Sequence, residues 1–288
     1  MTHLARLARV LGRAQARSEL RWMQHALQNP LLAGQQRAPD LPTMLARRAA
    51  GEPLQYILGT QPFGPLTLLT RPPVLIPRPE TEDWALRLAH RLAPNPSQPI
   101  TLLDLCTGSA CIPLLLCAVW PRHSVRAYGV DVSPDAIQLA RDNAALCGLS
   151  GAYEPLLADI RDPAFLVASG PSPPFDVITS NPPYIPRREY DQLSPSVKNY
   201  EDARALLGDP DPGHEGGRGL TFYRSIAKLV ARPGVLSDNG VIAVEVGHNQ
   251  AREVQQILHH EGQLPHTEIW KDPWDVERVV FASRHPQT

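Results

Sequence analysis

Cysteine is scarce in this sequence, and spacing pairs none of it. Cys106, Cys111, Cys117 and Cys147 form no C-x-x-C and share no ligand spacing with histidine, so a zinc site is not expected. Four isolated thiols suit a reducing, intracellular compartment, where they stay free. Long apolar runs are missing as well. None approaches the ~18 residues that cross a bilayer. The densest cluster, 112–120, carries Pro113 near its start and reads as a core helix. Neither G-x-G-x-x-G nor a glycine loop closed by Lys-Ser/Thr is present, which weakens the dinucleotide and P-loop readings. No internal repeat is evident. What the chain does have is 43% apolar and 20% charged residues over 288 positions. That is enough for one large or two modest folded domains and too hydrophobic for a disordered chain.

The net charge of -1 conceals an uneven distribution. Residues 1–60 hold eight arginines against Glu19, Asp40 and Glu52, a surplus of +5; the remainder holds 20 basic and 26 acidic groups. A basic lobe beside an acidic body suits an anionic partner such as RNA or a ribosome-associated protein. The plainer account is a solvated helical surface. The first 17 residues contain Arg6, Arg9, Arg13 and Arg17 and no acid, with Leu4, Leu7, Ala8 and Leu11 on one helical face. That is the character of a mitochondrial presequence, and equally of the first helix of a helical lobe.

Hydrophobic period and breakers divide the chain in three. Residues 1–52 read as helices, one with an apolar face of Leu20, Met23 and Leu27 and Ser18 as N-cap, another near 41–50 ending at Gly51. Residues 53–79 are punctuated by Gly59, Pro62, Gly64, Pro65, Pro72, Pro73, Pro77 and Pro79 around short extended pieces at 66–70 and 74–76, which predicts a hairpin linker. From residue 80 helices and strands alternate: helices at 80–92, 111–120, 134–147, 220–231 and 249–261, and strands at 100–104, 125–131, 153–157, 175–180, 241–246, 267–270 and 277–283. Ser133 is the expected N-cap and Pro134 the first residue of the third of these helices. Such alternation implies a mostly parallel sheet with helices on both faces. Residues 185–219 show no clear period, and a loop of that length beside a site reads as a substrate lid.

Asn181-Pro182-Pro183-Tyr184 directly follows the strand at 175–180. Prolines lack the N–H that would continue the ladder, so the backbone carbonyls there are released from pairing. The Asn181 side-chain oxygen beside the Pro182 carbonyl makes a paired acceptor suited to a planar –NH2. Pro183 and Tyr184 complete that substrate-facing segment, with Tyr184 packing on the flat group. The first strand of the alternating region ends in Asp104-Leu105-Cys106-Thr107-Gly108, a turn whose small residues let a ligand approach the backbone. The next strands end at Asp131 and near Asp159-Ile160. Three acids on three consecutive strand ends predict a nucleoside site: Asp131 for ribose hydroxyls, Asp159 for an adenine amine, Ile160 as a wall for the ring.

These features resemble the class I S-adenosylmethionine-dependent methyltransferases, and the Asn-Pro-Pro-Tyr segment resembles their amino-methylating branch. Gly51-Glu52-Pro53-Leu54-Gln55-Tyr56-Ile57-Leu58-Gly59, Leu75-Ile76-Pro77-Arg78-Pro79-Glu80-Thr81-Glu82, Tyr200-Glu201-Asp202 and Gly216-Gly217-Arg218-Gly219-Leu220-Thr221-Phe222-Tyr223 resemble the release-factor glutamine N5-methyltransferases of the HemK type. The likeness runs from about residue 45 to the C-terminus. It implies an α/β fold with a Rossmann-like seven-stranded sheet, mostly parallel with the last strand antiparallel. It divides the chain into an N-terminal helical substrate-docking domain at 1–52, a hairpin linker at 53–79 and a methyltransferase domain at 80–288. The sequence departs from that family at Cys106 and Ala110, where glycine is usual; the arginine-rich start with a cysteine at this position resembles fungal mitochondrial members.

The resemblance implies methyl transfer from S-adenosylmethionine to the side-chain amide of the glutamine in a Gly-Gly-Gln loop of a peptide-chain release factor, leaving S-adenosylhomocysteine. Asn181, Pro182 and Tyr184 are the expected catalytic residues. Asp104, Leu105, Cys106, Thr107, Gly108, Asp131, Asp159, Ile160 and Asn181 are expected at the cofactor. A monomer without metal, membrane or stable nucleic-acid binding is expected, in the mitochondrion or alternatively the cytoplasm. Two other functions compete. An adenine N6-methyltransferase would use the same acceptor pair on a flipped base, but the catalytic half is acidic and carries no separate basic, aromatic-rich domain. A cofactor-binding scaffold without activity finds support only in Cys106 and Ala110.

Overall fold

The computed structural model describes residues 3–28, 40–162, 164–168, 171–210 and 217–287. The chain begins with α1 (His3–Leu11), α2 (Arg13–Ala26), α3 (Leu41–Ala49) and α4 (Leu54–Leu58). Leu7, Ala16, Met23, Met44 and Leu45 bury one face of each of the first three helices, and Leu54 and Ile57 of α4 join the same cluster. The packing of this lobe therefore extends past residue 52 into the segment expected as linker. Ser18 does not cap a helix: α2 begins at Arg13, so Ser18 lies within it, and Gly12 stands at the N-cap. The helical period of 13–26 outweighs the capping preference of one serine. Asp40 caps α3 by accepting the Thr43 N–H at 2.9 Å.

A hairpin of β1 (Thr60–Phe63) and β2 (Leu66–Leu69) follows. Residues 74–76, expected as extended, form no strand; Val74 instead packs with Leu69, Ala136 and Leu139. The rest is α5 (Pro79–Arg91), β3 (Ile100–Leu105), α6 (Cys111–Val119), β4 (Val125–Asp131), α7 (Pro134–Leu146), β5 (Tyr153–Leu157), β6 (Phe175–Ser180), α8 (Thr221–Val230), β7 (Leu236–Glu245), α9 (Ala251–His260), β8 (His266–Lys271) and β9 (Glu277–Ser283), with single helical turns at Phe165–Ala168, Arg187–Tyr190 and Pro195–Lys198. Ser133 caps α7 through the Ala136 N–H, with Pro134 first in the helix.

The sheet order is β5-β4-β3-β6-β7-β9-β8. Six strands run one way; β9, the last in sequence, runs against them, paired between β7 and β8. Alternate residues of the central strands feed two cores. Leu102, Val177, Val241, Ala243, Val279 and Phe281 face α5, α6 and α7. Leu103, Ile178, Ile242, Val244, Val280 and Ala282 face α8 and α9. Both faces of the strands are covered, which is why they read as continuous apolar runs rather than as half-polar alternation. Strand order reverses between β3 and β6, and a crevice opens at the carboxyl ends of strands beside such a reversal.

Candidate active site

At that reversal lies a cavity of ≈ 250 Å³, walled by Cys106 and Gly108 after β3, Asp131 ending β4, Ile160 after β5, and Asn181 and Pro183 after β6. Its lining is largely apolar. Gly108 has a φ of +53°, and the space where its Cβ would stand is open to 4 Å. A ligand can therefore lie directly on this backbone. Cys106 and Ala110 also have left-handed backbone, with φ of 59° and 65°. The turn holds this conformation three times, and at the two positions that are not glycine it costs about 1 kcal/mol or more each.

Asp131 is held by the turn it serves. Its Oδ2 accepts the Gly108 N–H at 2.9 Å and its Oδ1 accepts the Ser133 N–H at 2.9 Å. Each carboxylate oxygen keeps a further acceptor direction, and burial raises the group above the usual carboxylate range. Asp159 also borders the cavity, but its carboxylate is engaged by Arg161, whose Nη2 donates to Oδ2 at 2.8 Å and whose Nε lies 3.1 Å from Oδ1. That hydrogen-bonded partner lowers its pKa.

Asp104, Leu105, Thr107, Pro182 and Tyr184 are not in the cavity wall. Leu105 points into the core against α8 and α9, and its carbonyl accepts the Ser180 hydroxyl at 2.8 Å. Thr107 contacts the Tyr153 hydroxyl at 3.2 Å. Asp104 is fully buried: Oδ1 accepts the Thr179 hydroxyl at 2.7 Å, and Oδ2 has no partner. Burial pushes its pKa up to about 7.

Asn181 faces the same cavity from β6. Its Nδ2 donates to Thr81 Oγ1 at 3.3 Å. The Thr81 hydroxyl donates to Glu245 Oε2 at 2.6 Å, and the Trp84 indole donates to the same oxygen at 2.8 Å. The Tyr184 hydroxyl lies 3.5 Å from Glu245 Oε1. No described donor takes the Pro182 carbonyl. The Tyr184 carbonyl accepts the Gln250 Nε2 at 2.9 Å, and that nitrogen also donates to the Arg218 carbonyl at 2.8 Å. Gly219 packs so tightly here that a Cβ would lie 2.0 Å from the Tyr184 carbonyl oxygen.

The segment after Tyr184 crosses back over the cavity. Residues 211–216 lie outside the described residues, but both flanks are tied. Asp209 accepts the Gly219 N–H at 2.6 Å and the Thr221 hydroxyl at 2.9 Å. Arg78 Nη2 bonds both oxygens of buried Glu201 at 2.7 and 2.6 Å. The Asp202 N–H donates to the Pro73 carbonyl at 2.8 Å. Asp202 and Arg204 consequently roof the cavity.

The chain matches no protein-family model. It is 34% identical over 261 residues to a release factor glutamine methyltransferase of Thermodesulfovibrio yellowstonii, covering 89% of this chain and 85% of that one. A protein of the same name from Geobacter sulfurreducens is 39% identical over 246 residues, covering 82% and 75%. The chain belongs to the release factor glutamine methyltransferase family. Among solved structures, the one titled "delta-N METTL16 MTase domain" superimposes with a TM-score of 0.50 at 15% identity, covering 74% of this chain and 86% of that chain; this is likeness of fold.

As a release factor glutamine methyltransferase the enzyme uses S-adenosylmethionine, and its residues suit that cofactor. The open approach at Gly108 admits a ligand to the backbone. The spare acceptor directions of Asp131 match a pair of vicinal hydroxyls, and Ile160 offers an apolar face to a ring. Sequence reasoning missed Thr81, Trp84, Glu245 and Gln250. One signal was available: Glu245 is an acid inside the apolar run 241–246, and a charge in a buried strand needs a partner.

Proposed function

We propose that this methyltransferase alkylates the side-chain amide nitrogen of the glutamine in the Gly-Gly-Gln loop of a peptide-chain release factor. The observation that carries the reading is Asn181 on the cavity wall with its NH2 turned toward Thr81, which leaves Oδ1 for a ligand; the next residue, Pro182, has a carbonyl without a described donor. We infer that the two oxygens act as a pair, matched to the two hydrogens of a primary amide. S-adenosylmethionine, when bound, supplies an electrophilic methyl group on a sulfonium. An amide nitrogen is a poor nucleophile because its lone pair is delocalised, so the protein's task is orientation and stabilisation of the positive charge that grows on nitrogen. Asn181 Oδ1 and the Pro182 carbonyl do both by holding the N–H groups. The bound sulfonium would supply the methyl carbon and leave as the neutral thioether, and the methylated nitrogen would release one of the protons held by these acceptors.

Asp131 and Ile160 are proposed at the nucleoside. Tyr184 is proposed against the flat amide, and the described residues 202–210 as a cover over the substrate. Docking by the basic N-terminal lobe is proposed on its charge and on Trp22, which stands 56% exposed there. A mitochondrial address is a separate proposal, resting on the acid-free basic stretch 1–17, and fractionation of the tagged chain tests it.

The test is tritiated-methyl transfer to purified release factor and to its Gln→Ala variant, with a bare oligonucleotide as control. Label is expected on the first alone. Asn181→Ala should cost about 100-fold or more in rate, the scale for removing one preorganised polar group from a transition state, with cofactor affinity within a few fold. Undiminished transfer by that variant, or label on the Gln→Ala protein, refutes the reading.

A further inference from the structure

Holding either substrate does not account for Thr81, Glu245 and Trp84, which lie behind Asn181. Counting protons shows what they do. The Trp84 indole can only donate, and it donates to Glu245 Oε2 at 2.8 Å. Thr81 has one hydroxyl proton and donates it to the same oxygen at 2.6 Å. A proton on Glu245 would sit on Oε1, which faces the Tyr184 hydroxyl at 3.5 Å, so Oε2 accepts in either protonation state. What Thr81 Oγ1 presents to Asn181 is therefore a lone pair. The Asn181 atom 3.3 Å away must be the amide nitrogen, because Oδ1 in that place would set acceptor against acceptor.

We propose that Thr81 and Glu245 are positioning residues that fix the flip of the Asn181 carboxamide, so that Oδ1 and not Nδ2 meets the N–H of the substrate amide. The inference rests on the acceptor-pair reading above. The two flips of a planar carboxamide are nearly equal in shape, so packing alone does not choose between them. The wrong flip sets donor against donor at the nitrogen that must be methylated. Thr81 comes from the first turn of α5 and Glu245 from the end of β7, so the orientation of the acceptor is set by the body of the fold and not by the loop that carries it.

The test compares Thr81→Val, Thr81→Ser and Asn181→Ala in steady-state transfer to release factor, with cofactor affinity and thermal midpoint measured on each. Thr81→Val keeps the shape and removes the hydroxyl. It should lower kcat about ten- to a hundredfold, the effect of leaving one buried donor unpaired, with KM for both substrates unchanged. Thr81→Ser restores the hydroxyl and should recover most of kcat. If the valine variant does not fold, Thr81→Ala removes the hydroxyl without adding a clash and is read the same way. Wild-type kcat in Thr81→Val together with an inactive Asn181→Ala overturns this inference and leaves the acceptor pair standing. Full activity in Asn181→Ala removes the acceptor pair itself. A loss in Thr81→Val that serine does not restore makes Thr81 a packing residue and also overturns the inference.

Discussion

Replacing Asp131 by alanine separates the two tasks the structure gives that side chain. The carboxylate anchors the turn after β3 by accepting the Gly108 and Ser133 N–H groups at 2.9 Å each. It also keeps one acceptor direction per oxygen toward the cavity, where ribose hydroxyls are proposed. Hydrogen bonds to a charged group contribute about 1.5–3 kcal/mol each. Loss of two to the hydroxyls therefore costs roughly 3 kcal/mol or more, and at 1.4 kcal/mol per decade the cofactor dissociation constant should rise about 100-fold. Loss of the two backbone bonds lowers the stability of the cofactor-free protein by about 3 kcal/mol on the same scale. Calorimetric titration with S-adenosylhomocysteine and urea unfolding without it measure the two effects apart. At saturating cofactor, kcat and the KM for release factor should change little, because the proposed acceptor pair does not include Asp131. Burial raises the Asp131 pKa, so wild-type cofactor affinity should begin to fall with acid above the ordinary carboxylate range, and the alanine variant should lack that limb. A variant with lowered stability but cofactor affinity within threefold of wild type would show Asp131 to be a turn anchor only and would refute the ribose assignment.

Two further substitutions test the strand tips. The folded pKa of Asp104 stands at about 7, above an unfolded value near 4; the group favours the fold fully below pH ~4, and this contribution, up to about 4 kcal/mol, is lost as pH rises through about 7. Urea unfolding of the cofactor-free protein should show stability declining between about pH 4 and 7, and Asp104→Asn should flatten that decline; an unchanged slope refutes the assignment. Ala110→Gly should raise the unfolding free energy by up to about 1 kcal/mol by relieving a left-handed residue, read as a higher thermal midpoint; a lower midpoint would show that the strain is absent or that the buried methyl matters more.

Much of the fold was legible because it is local. The runs 125–131, 153–157, 175–180 and 277–283 become strands with those bounds, since apolar runs between glycine, proline and polar breakers carry their own limits. The helix at 134 started where Ser133 and Pro134 said it would. Where two local signals competed the sequence was ambiguous. Ser18 has the chemistry of a cap but lies inside a longer helical period, and the proline-rich stretch after residue 53 hides a short helix, α4, that packs on the N-terminal lobe.

From the sequence alone came the strand–turn–helix order, the acids at three strand tips, and a proline-terminated strand end at Asn181, because backbone geometry follows from residues a few positions apart. Tertiary structure alone decided which side chains face the cavity. Leu105, the last strand residue, packs into the core against α8 and α9, and Thr107, past the left-handed Cys106, turns to the Tyr153 hydroxyl, although both sit in the cofactor turn. Thr81 meets Asn181 across 100 residues, Glu245 joins them across 164, and Arg78 meets Glu201 across 123. Hydrogen-bond direction depends on which donor and acceptor the folded chain brings together, and no local pattern of residues encodes that meeting.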